Sequence, residues 1–498
     1  MPDTRLGQRL ARGVAIDLRD ALKPRGAVVE VGDGVARVVG LNEVGSEELV
    51  AFDSGALGMA YELTPEYTGV VLLGGADRVV AGDGAEPTGS LPSLRVSREL
   101  LGRVLDPLGV PLDERPAPKG QSCPVFRASP ALTERAPVDR PLLTGVMVID
   151  SAIPIGRGQR QLIVGDRNVG KTALALDIVC AQRPGDVVCI YVVVGQPISR
   201  VLAIREALEK NGALSNTVVI ASHAGDPPGL QYLAPYSGTT VAEYFRDLGQ
   251  DALVIYDDLT KHADAYRELA LLLGRPPGRE AFPGDIFYIH AQLLERATAL
   301  ANSSGGGSIT AFPVVETTDS DISGYIPTNL ISITDGQVYL DTALFEKNQR
   351  PAVDIGKSVS RVGGTAQRPS LRVAAKNLRI VMSRFEALAS LTRVGLDVDP
   401  ATLKAIERGR AMREVLRQPR FKLRSVADQI LALTSVSEGW VDGLTPADAR
   451  SVVWSAADRL RTDLPEFAGA LDAATDALSD ADKARLHSLV QQTREKRG

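Results

Sequence analysis

The sequence predicts a multidomain protein with an N-terminal β-barrel, a central α/β domain built on a parallel sheet, and a C-terminal α-helical domain. Three observations predict it. Short apolar strands with glycine turns between them fill residues 25–93. Apolar runs alternate with helical segments over 94–367, and from 368 onward strand patterns give way to Ala, Leu, Arg, Asp and Glu at helical spacing. A chain of 498 residues also exceeds what one core serves.

Taken in order, residues 1–24 read as an N-terminal helix, because Leu6, Leu10, Val14, Leu18 and Leu22 recur every fourth position before Pro24 stops the run. Val28, Val29 and Val31, then Gly32-Asp33-Gly34, then Val35, Val38 and Val39 give a hairpin signal. Further strands are expected at Glu48 to Phe52, Gly58 to Leu63 and Gly69 to Leu73, and even spacing of short strands favours a small barrel. In the central domain the apolar runs are Gln161 to Val164, Val187 to Val194, Val218 to Ala221 and Ala252 to Tyr256. Their alternation with helices is the pattern of a parallel sheet wrapped by helices. The last stretch, Ser479 to Gly498, is polar and is expected to fray.

Composition excludes several classes. Hydrophobic residues make up 44% and charged residues 23%, as in ordinary globular chains. Lys plus Arg number 56 against 61 for Asp plus Glu, a net charge of -5, which argues against a nucleic-acid or anionic-membrane binder. Cys123, Cys180 and Cys189 are few and lack CxxC spacing, so inert thiols in a reducing compartment are expected. No window approaches the ~20 apolar residues needed to span a bilayer, and no signal-peptide stretch opens the chain. Any membrane role is therefore expected to run through partner proteins.

Gly165-Asp166-Arg167-Asn168-Val169-Gly170-Lys171-Thr172 fits the phosphate-cradling pattern GxxxxGK[ST], between an apolar strand and a helical run from Ala173 to Ala181. Glycines let backbone N–H groups turn toward a phosphate, and the helix N-terminus adds partial positive charge. Lys171 can reach the β- and γ-phosphates, and the Thr172 hydroxyl can ligate Mg²⁺. Ala252 to Tyr256 ends in Asp257-Asp258, which places Asp257 where a second Mg²⁺-holding carboxylate belongs. The cofactors expected are Mg²⁺ and ATP or ADP.

The segments around this loop carry a resemblance. Ala152 to Arg160, Gln231 to Gly238, Arg275 to Glu280, Tyr325 to Asn329 and Ser358-Val359-Ser360-Arg361-Val362-Gly363-Gly364 together resemble the α subunits of F-type ATP synthases, from the N-terminal hairpin to about Trp440. The resemblance implies a central P-loop (RecA-like) nucleotide-binding domain between barrel and helical domain. It implies an alternating hexamer of three α and three β subunits around a central-stalk γ subunit, with peripheral-stalk subunits attached. Its place would be peripheral, on the cytoplasmic face of a bacterial-type plasma membrane or the equivalent side of an organelle inner membrane. Catalysis would occur on β, with the α site binding Mg-ATP without turnover.

Chemistry supplies a reason for that silence. In catalytic relatives a Glu follows the Gly closing the strand after the phosphate-loop helix; here Val192-Val193-Val194-Gly195 is followed by Gln196. An amide cannot take a proton as a carboxylate does, although a Gln orients water in small GTPases. By resemblance, Arg361 is an arginine finger for the neighbouring β site, a device worth about 10³ to 10⁵ in rate, and Ser358 shapes its loop. Adenine contacts are implied at Arg350-Pro351 and at Gln418; the family's Gln-x-Gln ends here in Arg420, whose guanidinium can stack on a purine. Asn168-Val169 stands where the family usually has Gln-Thr, and Pro197-Ile198 where it has Lys-Arg. These departures point to a divergent or alternative copy. The competing functions are a catalytic ring ATPase of secretion or V type, which would need a Glu at position 196, an RNA-translocating hexameric helicase, and a structural ring spacer. An acidic stretch from Gly40 to Asp53 and 5% aromatics disfavour the helicase. Intact Lys171, Thr172 and Asp257 disfavour the spacer.

Overall fold

The computed structural model describes residues 25–182, 185, 187–393, 399–474 and 476–496. The helix expected within residues 1–24 lies outside them.

The described residues form two compact units, the first made of the barrel with the short segments Pro227–Leu230 and Ala265–Pro276. Its strands are β1 (Gly26–Gly32), β2 (Val35–Val39), β3 (Leu49–Phe52), β4 (Leu57–Leu63), β5 (Thr68–Gly74) and β6 (Gly84–Pro87). They close in the order β1-β2-β5-β4-β3-β6. The hairpin expected at Gly32-Asp33-Gly34 is present: Gly32 pairs with Val35, and Asp33 and Gly34 take φ of 49° and 87°. Positive φ at both central residues is the turn that matches strand twist, and Asp-Gly suits it. Closure comes from β6, a strand too short and polar to announce itself, through Gly26↔Ala85 and Ala27↔Gly84. Val28, Ala36, Val38, Val50, Phe52, Ala60, Val70, Leu72 and Ala85 fill the interior.

The second unit holds an eight-stranded sheet. Its strands are β7 (Val104–Leu105), β8 (Leu162–Asp166), β9 (Val187–Gln196), β10 (Thr217–His223), β11 (Asp251–Asp257), β12 (Ser308–Thr317), β13 (Gly336–Leu340) and β14 (Val359–Ser360). The spatial order is β14-β13-β8-β12-β11-β9-β10-β7, parallel throughout except for the antiparallel β14. The central strands are buried on both faces, as their unbroken apolar runs require.

After residue 368 the described residues are helical. Pro400–Val415, Val426–Ser437, Pro446–Asp463 and Asp480–Glu495 begin at Asp399, Ser425, Thr445 and Ser479, whose side chains accept hydrogen bonds from first-turn N–H groups. Such caps satisfy donors that a helix start leaves open. The expectation of fraying after Ser479 is corrected here. Asp480–Glu495 is a helix with a reciprocal Ser479–Asp482 capping box, and it buries Leu486, Leu489 and Val490. The sheet and these helices share one continuous apolar core that runs from Val104 to Val490.

Candidate nucleotide site

The phosphate loop leaves the C-terminal end of β8 and enters the helix Lys171–Ala181, whose N-cap is Gly170 at φ 102°. Gly165 is required by space: an added Cβ would lie 2.5 Å from the Leu340 carbonyl oxygen. Asn168 tolerates φ 64°, a conformation that Asn accepts more readily than most residues. Val169 is buried and fixes the loop from beneath.

Lys171 is 6% exposed. Its Nζ donates to the carbonyl oxygens of Gly165 at 2.9 Å and Asp166 at 2.7 Å, and lies 3.5 Å from Glu316 Oε1. Burial lowers its pKa; Glu316, Asp258 and Asp257 pull the other way. The Asp166 carboxylate does not face the cleft as a ligand would. It accepts from Thr317 Oγ1, Ser320 N, Ser320 Oγ and Thr342 Oγ1 at 2.6–2.8 Å. Burial pushes this carboxyl up, but those bonds outweigh it and hold it at about 2. Asp166 is thus a tether for the loop, and Arg167 is exposed, 3.8 Å from Glu316.

Asp257 ends β11 inside the site. Its Oδ2 accepts from Thr172 Oγ1 and from Tyr191 OH, each at 2.8 Å. Burial raises its pKa against these two bonds. Neighbouring Asp258 is pushed up to about 7 by burial and by repulsion from Asp257. Gln196 closes β9, and its Nε2 reaches Asp258 Oδ2 at 3.5 Å. The Thr172–Asp257 pair offers two hard oxygens on one wall, which fits Mg²⁺, an ion that keeps waters and phosphate oxygens rather than a full protein cage. Among the described residues no cluster of three or more His, Cys, Asp or Glu is arranged to hold a metal by itself.

Lys171, Thr172, Gln196, Asp257 and Asp258 line a cleft of about 700 Å³, together with Ala173, Pro197, Arg200, Lys261, Glu316 and Arg420. A second, more apolar cleft of about 580 Å³ is lined by Phe345, Arg350, Pro351, Asp177, Gln418 and Arg420. The two share Asn168, Gly170, Ala173 and Arg420. Arg350 stacks its guanidinium 4.6 Å from the Phe345 ring centroid, and Arg420 sits 4.5 Å from that of Phe421. Gln418 lines this second cleft and is held by backbone groups. Its Oε1 accepts from Met147 N at 3.0 Å, and its Nε2 donates to the Gly145 and Lys422 carbonyls at 2.7 and 2.8 Å. The amide is committed to backbone and holds the cleft wall in place.

Ser358 and Arg361 line neither cleft. Ser358 is buried; its Oγ accepts from Tyr339 N at 2.9 Å and donates to Asp354 O at 2.6 Å, pinning the turn before β14. Arg361 follows β14 directly and is exposed. Its backbone N–H bonds Asp335 O at 2.8 Å, and its guanidinium touches only the Ile331 carbonyl, at 3.5 Å, among the described residues.

Sequence reasoning missed Glu316, Asp258, Tyr191, Asp177, Arg200 and Lys261. Glu316 had a signal: like Asp257 it ends an apolar run, and it pairs in register with Gly165. Asp177 is held at about 6 by burial, partly offset by the Phe421 N–H and the Arg420 charge, and nothing in its helix pattern marks it.

Comparison with known proteins places these features in one family. The β-barrel domain of the ATP synthase alpha/beta family matches residues 23–89, its nucleotide-binding domain 145–360, and its C-terminal domain 367–493. The ATP synthase subunit alpha 1 of Marinomonas sp. (strain MWYL1) is 48% identical over 486 residues, covering 95% of this chain and 94% of that protein. The ATP synthase subunit alpha 2 of Syntrophus aciditrophicus (strain SB) is 50% identical over 424 residues, covering 85% and 82%. The ATP synthase subunit alpha of Caldanaerobacter subterraneus subsp. tengcongensis is 44% identical over 472 residues, covering 95% and 93%. No described helix is long and apolar enough to cross a membrane. With barrel, nucleotide-binding domain and helical domain all matched in order, the chain belongs to the ATP synthase alpha/beta family, among its alpha subunits.

Proposed function

We propose that this chain binds Mg-ATP without turning it over and serves as the regulatory subunit of a proton- or sodium-translocating ATP synthase. In this reading it alternates with a β-type subunit around a γ shaft and meets the membrane only through partners. The observation that carries the proposal is a cradle complete toward the phosphates but ending in an amide. Lys171 is bonded to its own loop and Thr172 to Asp257, whereas Gln196 stands where proton acceptance would be needed. Thr172 and Asp257 would hold the ion, and Lys171 and the loop N–H groups would hold the phosphates. When bound, Mg²⁺ neutralises charge on the phosphate oxygens.

Arg361 supports the second half of the reading. It is an exposed guanidinium on a backbone fixed by Ser358 and Asp335, and it lines neither of the chain's own clefts. That is the disposition expected of a group offered to a neighbouring site, where it would stabilise charge on a transferring phosphoryl group. The test is phosphate release by the purified chain, alone and after mixing with a β-type subunit. Mg-ATP binding without turnover is expected for the chain alone. Robust turnover by the pure chain overturns the proposal in favour of a self-contained ring ATPase.

A further inference from the structure

The phosphate cleft has two ends. Asn168, Gly170, Ala173 and Arg420 line it where it joins the base-side cleft. Gln196, Arg200, Asp258 and Lys261 line it without lining the base-side cleft, and Gln196 and Lys261 both bond Asp258, which sets this group apart from the join as the far end. A nucleotide laid across the cradle, with its base in the more apolar cleft, directs its terminal phosphate to that far end.

The far end is short of free positive charge. Asp257, Asp258 and Glu316 all line the cleft. Lys171 is engaged with the loop carbonyls and Glu316. Arg167 lies near Glu316, and Lys261 Nζ is 3.9 Å from Asp264. The two positions after Gln196 are Pro197 and Ile198, neither of them basic. Arg200 differs from all of these. It occupies the first turn of the helix Ile198–Lys210, three residues after Pro197 and so on the same face. Its side chain is exposed, lines the cleft, and makes no hydrogen bond or ion pair among the described residues. Its charge is felt by Asp257, where it favours ionisation against burial.

We propose that Arg200 is the terminal-phosphate clamp of this site, a residue that makes it select nucleoside triphosphates over diphosphates. The proposal rests on the nucleotide-binding reading above. A guanidinium presents a planar fork that matches two phosphate oxygens, and an unpaired one gives up no existing partner to do so. The loop N–H groups serve the phosphates common to both nucleotides and Lys171 reaches the β- and γ-phosphates alike; Arg200 meets only the one that the triphosphate alone has.

Calorimetry on the full chain with Mg-ATP and with Mg-ADP tests this in wild type, Arg200→Gln, Arg200→Lys and Lys171→Ala. Arg200→Gln is expected to weaken Mg-ATP by ~10-fold or more while leaving Mg-ADP within ~2-fold, and Arg200→Lys to recover part of the loss. Equal losses for both nucleotides would assign Arg200 a structural role and overturn the clamp. So would unchanged affinity for both in Arg200→Gln alongside a loss in Lys171→Ala, an outcome that leaves the nucleotide site standing. A wild-type chain that binds neither nucleotide overturns the site itself, and the clamp with it.

Discussion

Replacing Lys171 with Ala should weaken Mg-ATP binding by about 10- to 150-fold. The Lys171 ammonium is buried, 2.7 and 2.9 Å from two loop carbonyls and 3.5 Å from Glu316, so its position is fixed before any phosphate arrives. A charge-assisted hydrogen bond contributes about 1.5–3 kcal/mol, and each ~1.4 kcal/mol is tenfold in Kd. The surroundings push the loss toward the upper end. Without Lys171, the carboxylates of Glu316, Asp257 and Asp258 face the phosphates with the cradle's own cation gone. Adding Glu316→Gln to Lys171→Ala should therefore restore part of the affinity, because it removes a negative charge that Lys171 no longer offsets. Calorimetry gives the affinities, and thermal unfolding confirms that the variants fold. A Lys171→Ala chain that binds Mg-ATP within ~2-fold of wild type would refute the assignment of this loop as a phosphate cradle.

Three further outcomes are expected. Arg361→Lys in an assembled ring should leave stoichiometry and nucleotide binding intact but lower turnover per ring by about 10³ or more, since Lys lacks the planar fork; native mass spectrometry with ATPase rates checks this, and rates within a few-fold of wild type end the finger assignment. Gln418→Ala should cost about 2–4 kcal/mol of stability in urea unfolding, because it strands the Met147 N–H and the Lys422 carbonyl and leaves the Gly145 carbonyl with Arg424 N alone; a loss confined to nucleotide affinity would count against that role. The Asp166 carboxyl is held at about 2, below its ordinary 3.8, so its stabilisation is fully present above the ordinary value and disappears as pH falls through the folded one. After allowance for screening by the water that reaches it, Asp166→Asn should be less stable than wild type by about 1 kcal/mol at neutral pH, with the gap closing between pH 4 and 2; a gap independent of pH would contradict this account.

What could be read in the sequence was what is locally encoded. The Asp33-Gly34 turn, the alternation of apolar runs with helices, and the Gly165–Thr172 loop each depend on residues adjacent in the chain. Asp257 was reachable because a buried strand ending in an acid is a local pattern, and Glu316 would have been by the same rule. The barrel's closing strand β6 was not legible, since four residues with one buried Ala carry no periodicity and pair only because β1 and β3 wait on either side. Gln418 stands in the sequence context of a base contact. Its commitment to Met147, Gly145 and Lys422 appears only when residues far apart in sequence meet. Arg200 and Asp177 are ordinary helix residues until the cleft forms around them.

The eight-stranded sheet is blunted at both margins. β14 at one and β7 at the other are two residues long, so each exposes few unpaired backbone N–H and C=O groups. Short margins are a defence against strand-to-strand sticking between copies. For a protein read as one member of a crowded ring, that defence has a second result. A neighbour approaching β14 finds only two residues of strand to pair with, and beside them the exposed Arg361, carried on a backbone anchored to β13 through Gly336 and to Asp335. The fold thereby turns a sheet margin, ordinarily a place of indiscriminate adhesion, into a mount for an exposed guanidinium.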